Sequence, residues 1–219
     1  MPRDGASVTG DSVIDALRRH LEHMLEARGA PLVVAIDGRS GVGKSTIASQ
    51  LAAVFPATII PTDDFFAAEL TSADWDARSA SERARDAIDW RRLRRLALEP
   101  LRAGQPAIWH PFDFAGGERE DGSYAISSNA IRRDPAPVII LDGAYSSRPE
   151  LASLVDCAIL VEAPAATRRE RLAVREASDF LDAWHRRWDA AEDYFFTQVR
   201  PRASFHIVVD SVASRVLMR

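Results

Sequence analysis

The stretch Ile36-Asp37-Gly38-Arg39-Ser40-Gly41-Val42-Gly43-Lys44-Ser45-Thr46 constrains this chain more than any other. It fits G-x-x-x-x-G-K-[ST], with Gly38 opening the pattern, Gly43 closing it, and Lys44 and Ser45 completing it. The apolar run Leu32-Val33-Val34-Ala35-Ile36 ahead of it reads as a buried strand, and Thr46 through Val54 behind it reads as a helix. Gly38, Gly41 and Gly43 let backbone N–H groups close on an anion, while the following helix aims its positive end at the same point. Such a loop is a phosphate cradle, formed here by Gly38, Ser40, Gly41, Val42, Gly43, Lys44, Ser45 and Thr46. Lys44 supplies a point charge for the β- and γ-phosphates, and the Ser45 hydroxyl suits a magnesium ion. The loop alone does not name the phosphate acceptor.

At 219 residues the chain can bury a substantial core, and one domain over 1–219 is expected. Residues 1–30 read as a helical extension, with Asp11 or Ser12 as cap and Ile14, Leu17, Leu21, Met24 and Leu25 at helical spacing up to Gly29. The net charge of −4 argues against a dedicated nucleic-acid binder. No run of about 18 apolar residues is present and Met1 to Ser7 lack an apolar leader, so no membrane span and a cytoplasmic location are expected. Cys157 is the single cysteine, which excludes a disulfide within the chain or a cysteine-based metal site and leaves it as a packing residue. The composition is compatible with a homo-oligomer.

Further strands end in chemistry. Ala57-Thr58-Ile59-Ile60 leads into Pro61-Thr62-Asp63-Asp64-Phe65-Phe66. Parallel sheets present their ligand contacts at strand carboxyl ends, which makes Asp63 or Asp64 a candidate base for an acceptor hydroxyl. Val138-Ile139-Ile140-Leu141 ends in Asp142, a carboxylate of the kind that holds magnesium beside a phosphate loop. Val155 to Val161 is another strand, and Pro164 suits the start of a helix bearing Arg168, Arg171 and Arg175 on one face. Guanidinium forks in a row can neutralise a moving phosphoryl group. A long helix from about Ser178 to Val199 carries an aromatic stripe, and His206 to Asp210 reads as the last strand.

Between these lie less definite segments. Ala67 to Arg85 is polar around Asp74-Trp75-Asp76 and reads as a substrate cover or a surface helix. Asp89 caps a helix with Leu93, Leu96 and Leu101, ended by Gly104. Ala107 to Phe114 forms a strand that turns and returns through Tyr124-Ala125-Ile126 as a hairpin. Phe112 and Phe114 either stack on a planar ligand or pack the hairpin onto the core. His110, with no second histidine or cysteine near it in sequence, reads as a single polar contact. No repeat or linker interrupts the chain, so one α/β domain with a mostly parallel sheet and helices on both faces is expected.

In order and spacing these signals resemble the uridine kinase and phosphoribulokinase superfamily of P-loop kinases. The likeness rests on Gly38 to Ser45, Asp63-Asp64-Phe65-Phe66, Pro111-Phe112-Asp113-Phe114, Leu141-Asp142-Gly143, the arginine helix, and Arg200-Pro201 ahead of a final apolar strand. It implies a P-loop NTPase-type three-layer sandwich with a small hairpin and a helical lid, ATP and Mg2+ as cofactors, and a small-molecule hydroxyl substrate. It implies Asp63 as general base, Asp142 with Ser45 at magnesium, and Lys44, Arg168, Arg171 and Arg175 around the phosphates. Asp64, Phe66, His110, Phe112 and Phe114 would then border the acceptor. The sequence departs from the family at Phe66, where a tyrosine is usual, at the missing hairpin histidine, at Arg83 in place of an aspartate, and at Ala177-Ser178-Asp179 in place of an arginine-glycine-arginine lid end. Uridine or cytidine leads as acceptor, with pantothenate, a sugar, a sugar acid or an antibiotic as alternatives. A nucleotide-hydrolysing switch would carry an Asn-Lys-x-Asp segment, which this chain lacks.

Overall fold

Alternate residues of the central strand feed two separate cores, and this divides the molecule into layers. The structure, a computed structural model, describes residues 12–175 and 178–218. In chain order, α1 (Val13–Glu26) precedes β1 (Leu32–Asp37), α2 (Lys44–Val54) and β2 (Ala57–Pro61). Then come α3 (Ser72–Ala77), α4 (Ala80–Asp86) and a helical stretch in which a π turn, Arg94–Leu98, joins α5 (Trp90–Leu93) to α6 (Glu99–Arg102). They are followed by β3 (Ala107–Trp109), β4 (Ile131–Arg133), β5 (Val138–Asp142), β6 (Cys157–Glu162), α7 (Ala165–Arg175), α8 (Ser178–Tyr194), β7 (Ile207–Asp210) and β8 (Arg215–Met218).

Among the described residues the main sheet runs β2-β5-β1-β6-β7-β8, parallel except for β8. Leu32, Val34 and Ile36 face Leu17, Leu21, Ile47 and Leu51 of α1 and α2. Val33 and Ala35 face the opposite way, into a core with Trp75, Leu93, Leu98, Trp188 and Phe195. A strand buried on both faces by covering helices explains the unbroken apolar run in β1 and β5. Each fully buried large side chain contributes about 1.5–3 kcal/mol relative to exposure.

Four readings from sequence change. The sheet does not end at Asp210, because β8 returns antiparallel along β7 with Val209 opposite Val216. The turn between them is made by Asp210, whose Oδ1 accepts from the N–H groups of Val212 and Ala213, and four residues are too few to announce a strand by alternation. The hairpin is longer than expected: β3 pairs with β4, Trp109 opposite Ile131, and the Tyr124 to Ile126 segment contributes only a bridge between Phe112 and Ile126. Ala67 to Arg85 is not a plain surface helix. It forms α3 and α4, each opened by a capping box (Thr71 with Asp74, Ser79 with Glu82), and Trp75 is wholly buried 5.1 Å from the Trp188 ring. Arg83 is a tie between helices, donating to the carbonyls of Trp75, Asp76 and Arg187.

The end of β1 is pinned to the loop after β5. The wholly buried Asp37 accepts from the N–H of Gly38 (2.8 Å) and Tyr145 (2.9 Å) through Oδ1, and from the N–H (2.9 Å) and hydroxyl (2.6 Å) of Ser147 through Oδ2. Gly143 begins that loop with φ of 147°, and a Cβ there would collide with the Thr62 hydroxyl. The absent side chain lets β2 and β5 end side by side. Asp37→Asn turns one acceptor atom into a donor among donors. An unfolding free energy lower by about 2–4 kcal/mol is expected in urea titration, and an unchanged midpoint would refute the pin.

Candidate active site

The phosphate loop is held from its outer side. Lys44 Nζ donates to the carbonyls of Gly38 (2.9 Å) and Arg39 (3.1 Å), which draws the ammonium back across the loop. Gly41 has φ of 79°, and a Cβ there would lie 2.7 Å from the Arg168 carbonyl, so α7 rests directly on the loop. Arg168 donates to Ser40 O at 3.3 Å. Arg171 donates to Gly41 O (3.3 Å), Val42 O (3.0 Å) and Ser211 Oγ (3.2 Å). Arg175 closes α7, and its side chain lies outside the described residues. Arg171 also lines an open cleft of about 380 Å³ with Val42, Gly43, Thr46, Ile47, Gln50 and Ser211.

A residue not singled out from sequence grips the loop. Glu192 of α8 is 2% exposed. Its carboxylate accepts from Ser40 N (3.0 and 3.2 Å) and Ser40 Oγ (2.7 Å) and lies 3.7 Å from Arg168. Next to it, Asp193 pairs with Arg39 at 2.6 Å, and that guanidinium lies 5.2 Å over the Phe196 ring. One signal could have found Glu192: an acid four residues after Trp188 and three before Phe195 falls on the buried face of an amphipathic helix. Burial pushes its carboxyl above the usual range, against the pull of Lys44.

The sheet register assembles the rest. Asp142 on β5 sits opposite Ile36 of β1 on one side and Pro61 of β2 on the other, so it stands between the phosphate loop and Asp63. It is 9% exposed, the Ser45 hydroxyl bonds to it, and its Oδ1 is buried with no partner among the described residues. Burial raises its pKa, opposed by Ser45 and Lys44, and the charge of Asp63 raises it further. Asp63 lies exposed in the 3-10 turn Thr62–Phe65 at the end of β2. Asp64 turns away: its Oδ2 accepts from Trp109 Nε1 at 2.8 Å, its carbonyl accepts from Arg92, and burial raises its pKa.

Beyond this rim stands an aromatic wall. Phe66 touches Trp75, Phe112, Phe114 and Trp188, with ring centroids between 5.1 and 6.4 Å apart. Phe112 is 6% exposed and packs inward, whereas Phe114, 4.5 Å from it, is 60% exposed. The two hairpin aromatics thus divide the roles of packing and presentation. His110 makes its polar contact within its own hairpin, to Ser127 O at 2.9 Å.

The model for the family described as an AAA domain matches residues 33–197. Nicotinamide riboside kinase of Eremothecium gossypii is 30% identical over 183 residues, covering 75% of this chain and 70% of the relative. A protein of Bacillus stearothermophilus described as a possible uridine kinase superposes with a TM-score of 0.66 at 18% identity, covering 90% of this chain and 97% of its own. A Silicibacter sp. TM1040 protein assigned as a fructose transport system kinase gives 0.62 at 23% identity, with 87% and 96% covered. The chain belongs to the P-loop kinases of this AAA-domain family. It is a phosphotransferase with an alcohol group as acceptor, and use of ATP follows from the family. Among the described residues no helix is long and apolar enough to cross a membrane.

The raised pKa of Glu192 sets a pH test. Its native form holds a proton more tightly than the unfolded chain, so that contribution to stability is present at low pH and lost as pH rises through the raised pKa. Glutamine does not titrate. From about pH 5 to about pH 8 the difference in unfolding free energy between Glu192→Gln and the parent should move in favour of the variant. Each tenfold gain in proton affinity on folding is worth about 1.4 kcal/mol of that movement. A difference flat across the range would contradict the assignment.

Proposed function

We propose that the chain transfers the γ-phosphate of Mg-ATP to a hydroxyl of a nucleoside, with uridine and cytidine as the leading acceptors. The observation that carries this reading is the neighbourhood of Lys44, Ser45, Asp142 and Asp63 on one sheet rim, with an exposed aromatic, Phe114, on the acceptor side. Asp63 takes the proton of the acceptor hydroxyl as its oxygen attacks the γ-phosphorus in line. The bond to the β-γ bridging oxygen breaks, and ADP leaves. Lys44 trades its carbonyl partners for phosphate oxygens, and Arg168 and Arg171 brace the loop from behind. The orphaned Asp142 Oδ1 beside the Ser45 hydroxyl suits a magnesium ion, which would neutralise phosphate charge when bound. The cleft lined by Arg171, Thr46 and Gln50 suits the nucleotide base.

Asp64 is committed to Trp109, which leaves the base role to Asp63. Phe114 would stack on the acceptor ring, backed by Phe112 and Phe66. A second reading takes nicotinamide riboside, after the relative's name. The wall of aromatics beside the carboxylates of Asp63 and Asp64 suits a cationic ring as well as a neutral one.

Asp63→Asn should keep ATP binding and lower turnover by roughly 10²-fold or more. Retained turnover would move the base elsewhere. ADP release is to be measured with uridine, cytidine, nicotinamide riboside, pantothenate and common sugars. Stimulation by uridine or cytidine supports the first reading, and stimulation by nicotinamide riboside alone selects the second. Equal release with and without acceptors would defeat both.

A further inference from the structure

The cleft beside the phosphate loop carries one side-chain amide with nothing in the fold to do. Thr46, Ile47 and Gln50 share one face of α2, at steps of three and four residues, and line the cleft from that side. Arg171 of α7, Val13 of α1 and Ser214, just before β8, line it from three further elements. Its volume of about 380 Å³ is of the size that takes a small ligand. Ile47 is buried and gives a planar ring an apolar surface to lie on. Arg171 is tied to Gly41 O, Val42 O and Ser211 Oγ, so its guanidinium is held in place at the cleft wall.

Gln50 is exposed, and its amide makes no hydrogen bond among the described residues. It stands seven residues beyond Gly43, the last glycine of the loop, which is about 10 Å along a helix axis at 1.5 Å per residue. That is far enough to clear the phosphates and a ribose. Among the described residues that line the cleft there is no carboxylate, so neutral groups alone are offered to a base.

We propose that Gln50 reads the N6 and N7 edge of adenine and makes the site select ATP over GTP. This rests on the reading of the cleft as the seat of the nucleotide base. In the anti conformation the imidazole half of a purine lies towards its own 5′-phosphates. The helix α2 starts at those phosphates, so the edge that meets it is the one bearing N7. On that edge adenine sets a donor, the N6 amine, beside the acceptor N7, whereas guanine sets two acceptors, O6 and N7, side by side. A primary amide matches adenine with both its groups: its carbonyl accepts from N6 and its NH2 donates to N7. Guanine turns its O6 against the amide oxygen. The hydroxyls of Thr46 and Ser214 donate or accept as they rotate and impose no such choice.

Calorimetric binding of ADP, GDP, 7-deaza-ADP and pyrophosphate tests this without knowledge of the acceptor. The parent should prefer ADP to GDP and to 7-deaza-ADP, which lacks the N7 acceptor, by roughly tenfold or more. Gln50→Leu should lose both preferences through weaker ADP binding, with pyrophosphate affinity and melting temperature unchanged. A parent without these preferences, or preferences that survive in Gln50→Leu, would overturn the proposal. Val13→Trp, which fills the cleft from the α1 side, tests the reading underneath. Weaker ADP binding with pyrophosphate binding unchanged keeps the base in the cleft, so that a silent Gln50→Leu then defeats only the role of Gln50. Unchanged ADP binding in Val13→Trp removes the base from the cleft and this proposal with it.

Discussion

The hydrogen bonds of Asp37 hold the site together. One carboxylate, dry on all sides, takes donors from the first residue of the phosphate loop and from two residues of the loop after β5. Burying a charge is costly unless every lone pair is used, and here four donors answer it. The loop therefore has a fixed origin, and the register of β1 against β5 sets Asp142 at a fixed distance from Ser45. A site for phosphoryl transfer depends on position more than on covalent chemistry, so a rigid origin is a functional requirement.

The second constraint comes from the far end of the chain. The helix α8 lays Trp188 against the aromatic wall and Glu192 against the loop, while Phe195 meets Tyr145. One helix face thus touches the aromatic wall and the phosphate loop together. The π turn Phe195–Val199 that follows crowds two phenylalanines into this contact, one against Tyr145 and the other beneath Arg39.

Much of this was legible in the sequence because it is local. The phosphate loop, the strand ends at Asp63 and Asp142, and the arginine spacing are patterns of a few adjacent residues, and the structure finds β1, β2, β5 and α7 where those patterns put them. What stayed hidden depends on long-range packing. Trp75 sits between charged neighbours that give no sign of its burial, and what buries it includes Phe66 and Trp188, the latter far away in the chain. Asp63 and Asp64 could not be separated by spacing, since what distinguishes them is a bond from Trp109 on the hairpin. Arg83 looked like the loss of an acid, whereas its three carbonyl partners give it a reason of its own.

Gly41 lets α7 lie on the loop, and the loop is consequently addressed from two sides. In a trans peptide the C=O and N–H point in opposite directions. Arg168 donates to Ser40 O, which shares its peptide with the Gly41 N–H, and Arg171 donates to Val42 O, which shares its peptide with the Gly43 N–H. Hydrogen bonds in series polarise one another, by roughly 10–30% per bond. The two arginines can therefore sharpen the pull of the cradle on an anion through the backbone itself, as inductive groups on its far side.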